Sequence, residues 1–376
     1  MNIVKNDRRK EKLSELETHL NENKDNHLYI WGSSQTARMI TGFCHENSNL
    51  SVAGYIVDDA YFREDTFCDK PVYKTSEWIG KANSKDVVIY GFTNYERAQK
   101  VSQTLPEGIL DVYFHFPYSA NVDGAYLTYD DYKVAEQRFQ ETYDCLDDDL
   151  SKEVMEAFIN ACISGEADKL EALRTDGQYF NELTKNMAPG CFVDLGAYIG
   201  DTIEEAFAFY GKRLEKVVAF EPDGQNLVQL KERIERCGVT GEQLQLVQKG
   251  SWNCAKVLHF SSSDSSSSIS EEGDIEIEVD AVDSVLNGQS APVSYIKMDV
   301  EGSEFESLQG AQAAITSNSP ILAVCVYHKP DDLYRLTDLI RQYTQAKGYR
   351  YYMRYYGPDL REVVFYAIPT DVKEGV

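Results

Sequence analysis

Phe192-Val193-Asp194-Leu195-Gly196-Ala197-Tyr198-Ile199-Gly200-Asp201-Thr202-Ile203 is the stretch whose reading decides the fold. An apolar run ends in an acid, small residues then let the backbone turn, and a helical pattern begins. A glycine-lined turn lets a ligand approach the main chain closely, and a helix N-terminus supplies unpaired amides. Dinucleotide folds place pyrophosphate in the same geometry. Here the spacing is Gly196-x-x-x-Gly200, and Asp194 and Asp201 flank the turn. Acid beside the turn suits a cationic ligand better than a pyrophosphate.

One strand-helix unit later, Ala219-Phe220-Glu221-Pro222-Asp223 puts a carboxylate at the tip of a second strand. Nucleoside-binding sheets hold ribose hydroxyls at that position. An adenosyl ligand that carries a sulfonium and an ammonium, but no phosphate, satisfies both segments. Taken singly, the turn reads as a tight connection and Glu221 as a solvated strand-end acid. Their joint occurrence at strand-helix-strand spacing carries the functional reading.

Strand patterns continue outward from this unit at Leu244–Val247, Val257–Phe260, Ile275–Val279, Tyr295–Met298, Ile321–Tyr327, Tyr349–Arg354 and Val363–Ile368, with helical segments at 203–210, 225–236, 305–315 and 331–343. Towards the amino terminus, Leu28–Trp31, Val52–Val57, Val87–Tyr90 and Val112–Phe114 alternate with helical patterns. Such alternation implies parallel pairing. Residues 130–173 read as helical, and Ser261–Ser270 as a polar loop. The organisation expected is a Rossmann-like accessory domain over 1–125, a helical connector over 126–178 and a second α/β domain over 179–376.

Tyr295-Ile296-Lys297-Met298-Asp299-Val300-Glu301 would deliver Lys297, Asp299 and Glu301 to one side if the strand continues. Strand-end acids also cap helices. His328, in Val326-Tyr327-His328-Lys329-Pro330, follows another apolar run and could accept a proton; a lone strand-end histidine is otherwise structural. A divalent metal at Asp299 stays open, but the sequence shows no closed set of ligands, so no metal is assigned.

The formal net charge of -25 disfavours a general binder of nucleic acid or anionic membranes. The eight cysteines form no CxxC pair and read as small core residues in a reducing compartment. No apolar run approaches the roughly 18 residues of a membrane span, and the expected location is cytoplasmic.

The segment from Tyr179 to Ile368 resembles the FkbM-type methyltransferases, a branch of the class I S-adenosylmethionine-dependent enzymes. The resemblance rests on Phe192–Ile203, Ala219–Asp223, Ile296–Glu304, Leu322–Leu333 and Glu362–Ala367. Ser303 stands where alanine is commoner, and Tyr355 where a histidine is frequent. The resemblance implies a seven-stranded, mostly parallel sheet with helices on both faces and a final antiparallel hairpin. It also implies O-methyl transfer to a hydroxyl of a sugar, nucleotide sugar, glycolipid or other glycoconjugate.

On this reading Asp194, Gly196, Ala197, Tyr198, Gly200, Asp201 and Thr202 contact the methionine part of S-adenosylmethionine. Glu221 holds the ribose with Asp223 beside it, and a turn at Gly250-Ser251-Trp252 borders the adenine. Asp299 and His328 are candidates for base or acceptor positioning, with Glu301 and Lys297 in support. Two other readings are a non-catalytic methyltransferase-like binding module and a nicotinamide-dependent sugar-modifying enzyme using the first domain. Ile30-Trp31-Gly32-Ser33-Ser34 has one glycine where a dinucleotide turn has three, which argues against the latter and favours a scaffold or acceptor-handling role. Homo-oligomerisation is left open.

Overall fold

The computed structural model describes residues 1–22, 24–122, 124–237, 239, 241–261, 268–269, 275–288 and 291–370. The first sheet is built from β1 (Leu28–Trp31), β2 (Val52–Val57), β3 (Thr66–Phe67), β4 (Lys70–Lys74), β5 (Val87–Tyr90) and β6 (Leu110–Val112), in the order β3-β4-β2-β1-β5-β6. All its pairs are parallel except β3 with β4. Both faces are covered, so the central strands are apolar throughout and alternate residues enter different cores. Ile30 packs with Ile40 and Phe43 of the helix Gln35–Asn47, whereas Trp31 packs with Trp78 and Ala98 on the other face.

The second sheet begins with β7 (Gly190–Leu195), β8 (Leu214–Phe220) and β9 (Leu244–Val247). The chain then makes a separate four-stranded sheet from β10 (Gly250–Trp252), β11 (Lys256–Ser261), β12 (Ser268–Ile269) and β13 (Ile275–Ala281). It returns through β14 (Val293–Met298), β15 (Ile321–Cys325), β16 (Tyr349–Tyr355) and β17 (Val363–Pro369) to complete seven strands ordered β16-β17-β15-β14-β7-β8-β9. Only β17 runs antiparallel to its neighbours, giving the closing hairpin. This is the class I-like architecture the resemblance implied.

Strand order reverses beside β7, with β8 on one side and β14 on the other. Open α/β sheets bind ligands at such a point, outside the carboxyl ends of the strands. The register aligns those ends: Asp194 pairs with Lys297 and Ala219, and Leu195 pairs with Met298 and Phe220.

Four expectations need correction. β6 ends at Val112, and Phe114 is a buried core residue beyond it. β15 ends at Cys325, two residues short of the expected boundary. Gly250-Ser251-Trp252 is a strand paired with β13, not a turn. The single helix expected over 305–315 is two, Glu304–Gly310 and Gln312–Asn318, with a break at Ala311. Most of the polar segment Ser261–Ser270 lies outside the described residues.

The helix Asp149–Ser164 packs on β16 of the outer hairpin, while Glu136–Cys145, preceded by Tyr129–Val134, packs against the helix Asp332–Thr344. Ser151 Oγ accepts from the Met353 amide, and Arg354 forks onto both oxygens of Asp148. Arg9, 2 % exposed, ties the amino-terminal helix to this layer. Its guanidinium donates to the carbonyls of His115, Cys162 and Ile163, pairs with Asp7 and lies over Phe116 and Tyr126. Arg9→Met should therefore cost about 3 kcal/mol, given the worth of hydrogen bonds to charged groups. Urea unfolding of the full chain checks this; a loss under about 0.5 kcal/mol, the range of an ordinary surface change, would contradict the clamp.

Candidate functional site

The site grows from the tip of β7. The amides of Gly196 and Ala197 both donate to the Phe220 carbonyl, at 3.1 and 3.0 Å, folding the turn across the end of β8. Gly196 has φ +82°, and a Cβ there would lie 1.9 Å from the Asp299 carbonyl oxygen, so only glycine lets the turn pack on the end of β14. Tyr198 follows with φ +46° and its ring exposed. Gly200 then caps the helix Asp201–Tyr210, whose first turn carries Asp201 and Thr202 and whose buried face is Ile203, Ala206 and Tyr210.

Glu221 braces this turn from the neighbouring strand. Its Oε2 accepts from the Tyr198 amide at 2.9 Å, while Oε1 accepts from the Asp223 amide at 2.9 Å and from Asn226 Nδ2 at 3.2 Å. A carboxylate offers about four lone-pair directions, so roughly one is left for a ligand. Burial raises the carboxyl's pKa, and these donors hold it down. Asp223 serves a different purpose, since one of its oxygens caps the helix Gly224–Arg236 through the amides of Gln225 and Asn226.

Beneath the turn, Lys297 donates to the Gly196 carbonyl at 2.7 Å and pairs with Asp194 Oδ1 at 3.1 Å. Both side chains are buried. Burial pushes the Asp194 carboxyl up, against the pull of Lys297. Burial acts to lower Lys297, but the carboxylates of Asp194 and Asp299 outweigh it and raise its pKa. The expected alternation of Lys297, Asp299 and Glu301 along one extended strand does not occur. β14 ends at Met298 and Glu301 has φ +54°, so Lys297 lies under the turn and the two acids belong to the loop beyond.

Those acids face His328. Its ring is buried, with Nδ1 2.9 Å from Glu304 Oε1 and Nε2 at 3.5 Å from Asp299 Oδ1 and 3.6 Å from Glu301 Oε2. Burial lowers the imidazole's pKa, but Glu304 first, then Asp299 and Glu301, push it up to about 10. Glu304, buried as well, is held below its ordinary value by His328 against the effect of burial. At neutral pH His328 is thus an imidazolium, with no lone pair to accept a proton. The ligand atoms of Asp299, Glu304 and His328 lie close enough together for a metal, as do those of Asp299, Cys325 and Glu362. The geometry of the first set is that of an ion-pair network around the imidazolium, and a metal there would have to displace the ring proton.

Several residues at this site carried no role in the sequence reading. Tyr118 donates to Glu301 Oε2 at 2.5 Å, stands edge-on to His328 and has Arg361 over its ring. Tyr179 donates to Asp299 Oδ2 at 3.1 Å. Glu362 accepts from Gln178 and Tyr327 at 2.6 and 3.2 Å. Glu304, Tyr327 and Glu362 sit within the motifs already quoted. Tyr118 lies 183 positions from its partner Glu301, and no local pattern marks it. Ser251, expected near the adenine, is buried with its hydroxyl 2.6 Å from that of Ser307, and Trp252 packs with Leu258 and Val279. Gly250, Ser251 and Trp252 thus form a packing contact with the helix Glu304–Gly310 and with β13.

Comparison with known proteins bears on the second sheet first. Residues 194–351 match the family described as the methyltransferase FkbM domain. None of the curated proteins matches the chain. Among solved structures, methyltransferase FkbM from Methylobacillus flagellatus KT superposes with a TM-score of 0.70 at 21 % identity, covering 94 % of this chain and 92 % of that one. The SAH-bound Podospora anserina methyltransferase PaMTH1 reaches 0.31 at 9 % identity over 74 % and 97 %. An rRNA methylase from Streptococcus thermophilus reaches 0.30 at 11 % identity over 50 % and 91 %. The first of these shares the fold along nearly the whole chain, both sheets included. The family match falls on the turn, the Asp299 loop and the His328 network, so residues 194–351 are similar to the methyltransferase FkbM domain where the site is built.

Proposed function

We propose that the protein is an S-adenosylmethionine-dependent O-methyltransferase acting on a hydroxyl of a sugar or glycoconjugate. The observation that carries this reading is the charge balance of the β7 turn. Asp194, Asp201 and Asp299 act on one another there against the single ammonium of Lys297, which at 3.1 Å is the buried Asp194 carboxylate's one close polar partner among the described residues. A site with excess negative charge beside open helix amides fits a ligand that is cationic and phosphate-free.

The turn residues Gly196, Ala197, Tyr198 and Gly200, with Asp194, Asp201 and Thr202 around them, would hold the amino-acid end, and Glu221 the ribose through its remaining lone pair. When bound, S-adenosylmethionine supplies an electrophilic methyl group on a sulfonium. The chain's own work is then alignment of the acceptor hydroxyl and removal of its proton. Asp299, partly open to solvent and steadied by Tyr179 and His328, is the proton acceptor in this proposal. His328 acts as a fixed cation that orients Asp299 and Glu301, and Lys297 holds the turn. Tyr118 and Glu301 border the acceptor. In the same proposal residues 1–125 handle the acceptor, 126–178 join the two parts and 179–376 perform the transfer. No helix among the described residues is long and apolar enough to cross a membrane.

Three outcomes check this reading. Glu221→Gln should weaken calorimetric binding of S-adenosylmethionine by about tenfold, near 1.4 kcal/mol; unchanged affinity would remove the ribose assignment. Asp299→Asn should lower methyl transfer from labelled cofactor to a glycan or nucleotide-sugar acceptor by about a hundredfold or more, with cofactor affinity retained. Equal turnover would dismiss Asp299 as the base, and transfer to no acceptor by the unaltered protein would favour a binding module.

The third outcome concerns pH. His328 is raised in the folded state, so its stabilisation is complete below the unfolded value of about 6.5 and is lost as pH rises through about 10. Glu304 is lowered, so its contribution is present above its ordinary value near 4.5 and falls away in acid. In carbon-13-labelled protein the His328 ring resonance should therefore stay in its protonated position from about pH 6 to 8.5; a midpoint near 6.5 would contradict the network.

A further inference from the structure

The first sheet has its own strand-order reversal, because β1 lies between β2 and β5. A cavity of about 190 Å3 opens at the carboxyl ends of these strands, bordered by Gly32, Ser34, Asp58, Tyr61, Phe92 and Arg97 among others. Gly32 makes the cavity's floor accessible: φ is +126°, and a Cβ there would lie 2.8 Å from the Gly91 carbonyl oxygen. The helix Gln35–Asn47 starts at this floor. Ser34, at its cap position, does not accept from the helix amides but donates to the Gly91 carbonyl at 2.9 Å. No acid stands in the first turn, so its amides and the positive end of its dipole remain uncompensated.

The opposite wall is different in character. Asp58, at the tip of β2, pairs with Arg97 at 2.5 Å, and both are partly exposed. The guanidinium lies over the rings of Phe92 and Tyr61, and Tyr61 is 65 % exposed. Trp31 also borders the cavity, and its buried indole N–H has no acceptor among the described residues.

We propose that this cavity binds a single nucleotide, as a nucleoside phosphate. The open amides of the helix and Arg97 suit the phosphate, Asp58 suits the ribose hydroxyls, and the Tyr61 and Phe92 rings offer a face for the base. Asp58 would repel a bare anion, so a ligand with hydroxyl donors beside its phosphate is the better match. A dinucleotide is the poorer match, because the turn has one glycine where a dinucleotide turn has three.

The helix Tyr95–Ser102, which presents Arg97 to the cavity, begins on the other site's own loop. The Tyr95 amide donates to Asp359 Oδ2 at 3.1 Å, between β16 and β17, in the loop that carries Arg361 and Glu362. A nucleotide held here is thus mechanically joined to the acceptor side of the methyl-transfer site. The proposal stands on the cavity alone and does not require that reaction.

The test is calorimetry on the full chain with UMP, UDP, ADP, UDP-glucose, NAD, uridine and inorganic diphosphate, and separately with S-adenosylmethionine. At least one nucleoside mono- or diphosphate, free or sugar-linked, should bind, and Asp58→Asn and Arg97→Gln should each weaken it about tenfold or more. Both positions are partly exposed, and unchanged thermal unfolding of the variants confirms that they fold. UDP-glucose binding tighter than UDP marks a sugar nucleotide as the source, and the reverse marks a free nucleotide; either supports the site. No nucleotide binding at millimolar concentration overturns it. So does binding that survives both substitutions, inorganic diphosphate binding as well as the nucleotides, or NAD binding better than ADP and UDP. S-adenosylmethionine binding is read independently, so failure of the transferase reading leaves these outcomes distinct.

Discussion

The buried pair of Lys297 and Asp194 is the constraint on which the rest of the carboxy-terminal site depends. Two charges taken out of water are costly unless they meet each other and further polar partners. Here the ammonium meets both Asp194 and the Gly196 carbonyl, so it joins β14 to β7 and fixes the turn between β7 and its helix. One ammonium shared among Asp194 and Asp299 leaves the turn negative, with Asp201 adding to it. On the proposed reading, the same contact that stabilises the strand tips also selects the sign of the ligand. Glu221 then uses most of its lone pairs on the amides of Tyr198 and Asp223 and on the Asn226 side chain, which makes this carboxylate part of the scaffold.

A second buried network sits beyond the first. The imidazolium of His328 is stabilised by Glu304 below it and by Asp299 and Glu301 at its outer nitrogen. This converts a residue that titrates near neutrality in water into a fixed positive charge. Tyr118 closes the outer side from a segment that packs with the first sheet's layer. The polar floor of the site is consequently built by both halves of the chain. A likeness that extends over 94 % of the chain, rather than over the second sheet alone, is consistent with the two halves forming one unit.

How much of this was legible beforehand follows from how local each signal is. The run 191–195 and the glycine turn after it are local, so the central strand, the turn and Glu221 could be read directly from residue order. Their consequences were less visible. Glu301 was expected on the same face as Asp299 by strand alternation, but its φ of +54° breaks the pleat, and a positive φ at a glutamate leaves no mark in the sequence. Gly250-Ser251-Trp252 looks like a turn because glycine and serine favour turns; its strand character comes from pairing with β13, a partner distant in the chain. The charge of His328 depends on Glu304 lying 2.9 Å away, which only the folded chain establishes. Tyr118 has no neighbouring pattern at all.

The central claim is that a negatively charged turn braced by Lys297 and Glu221 receives the nucleoside cofactor. Its most direct measurement is a crystal structure of the protein grown with S-adenosylhomocysteine, the demethylated product. The account predicts density along 196–200, with ribose hydroxyls on Glu221, the amino group beside the Asp194 turn and the sulfur directed towards Asp299. Density elsewhere, or a bound ligand with Glu221 still committed only to the amides of Tyr198 and Asp223, would contradict it.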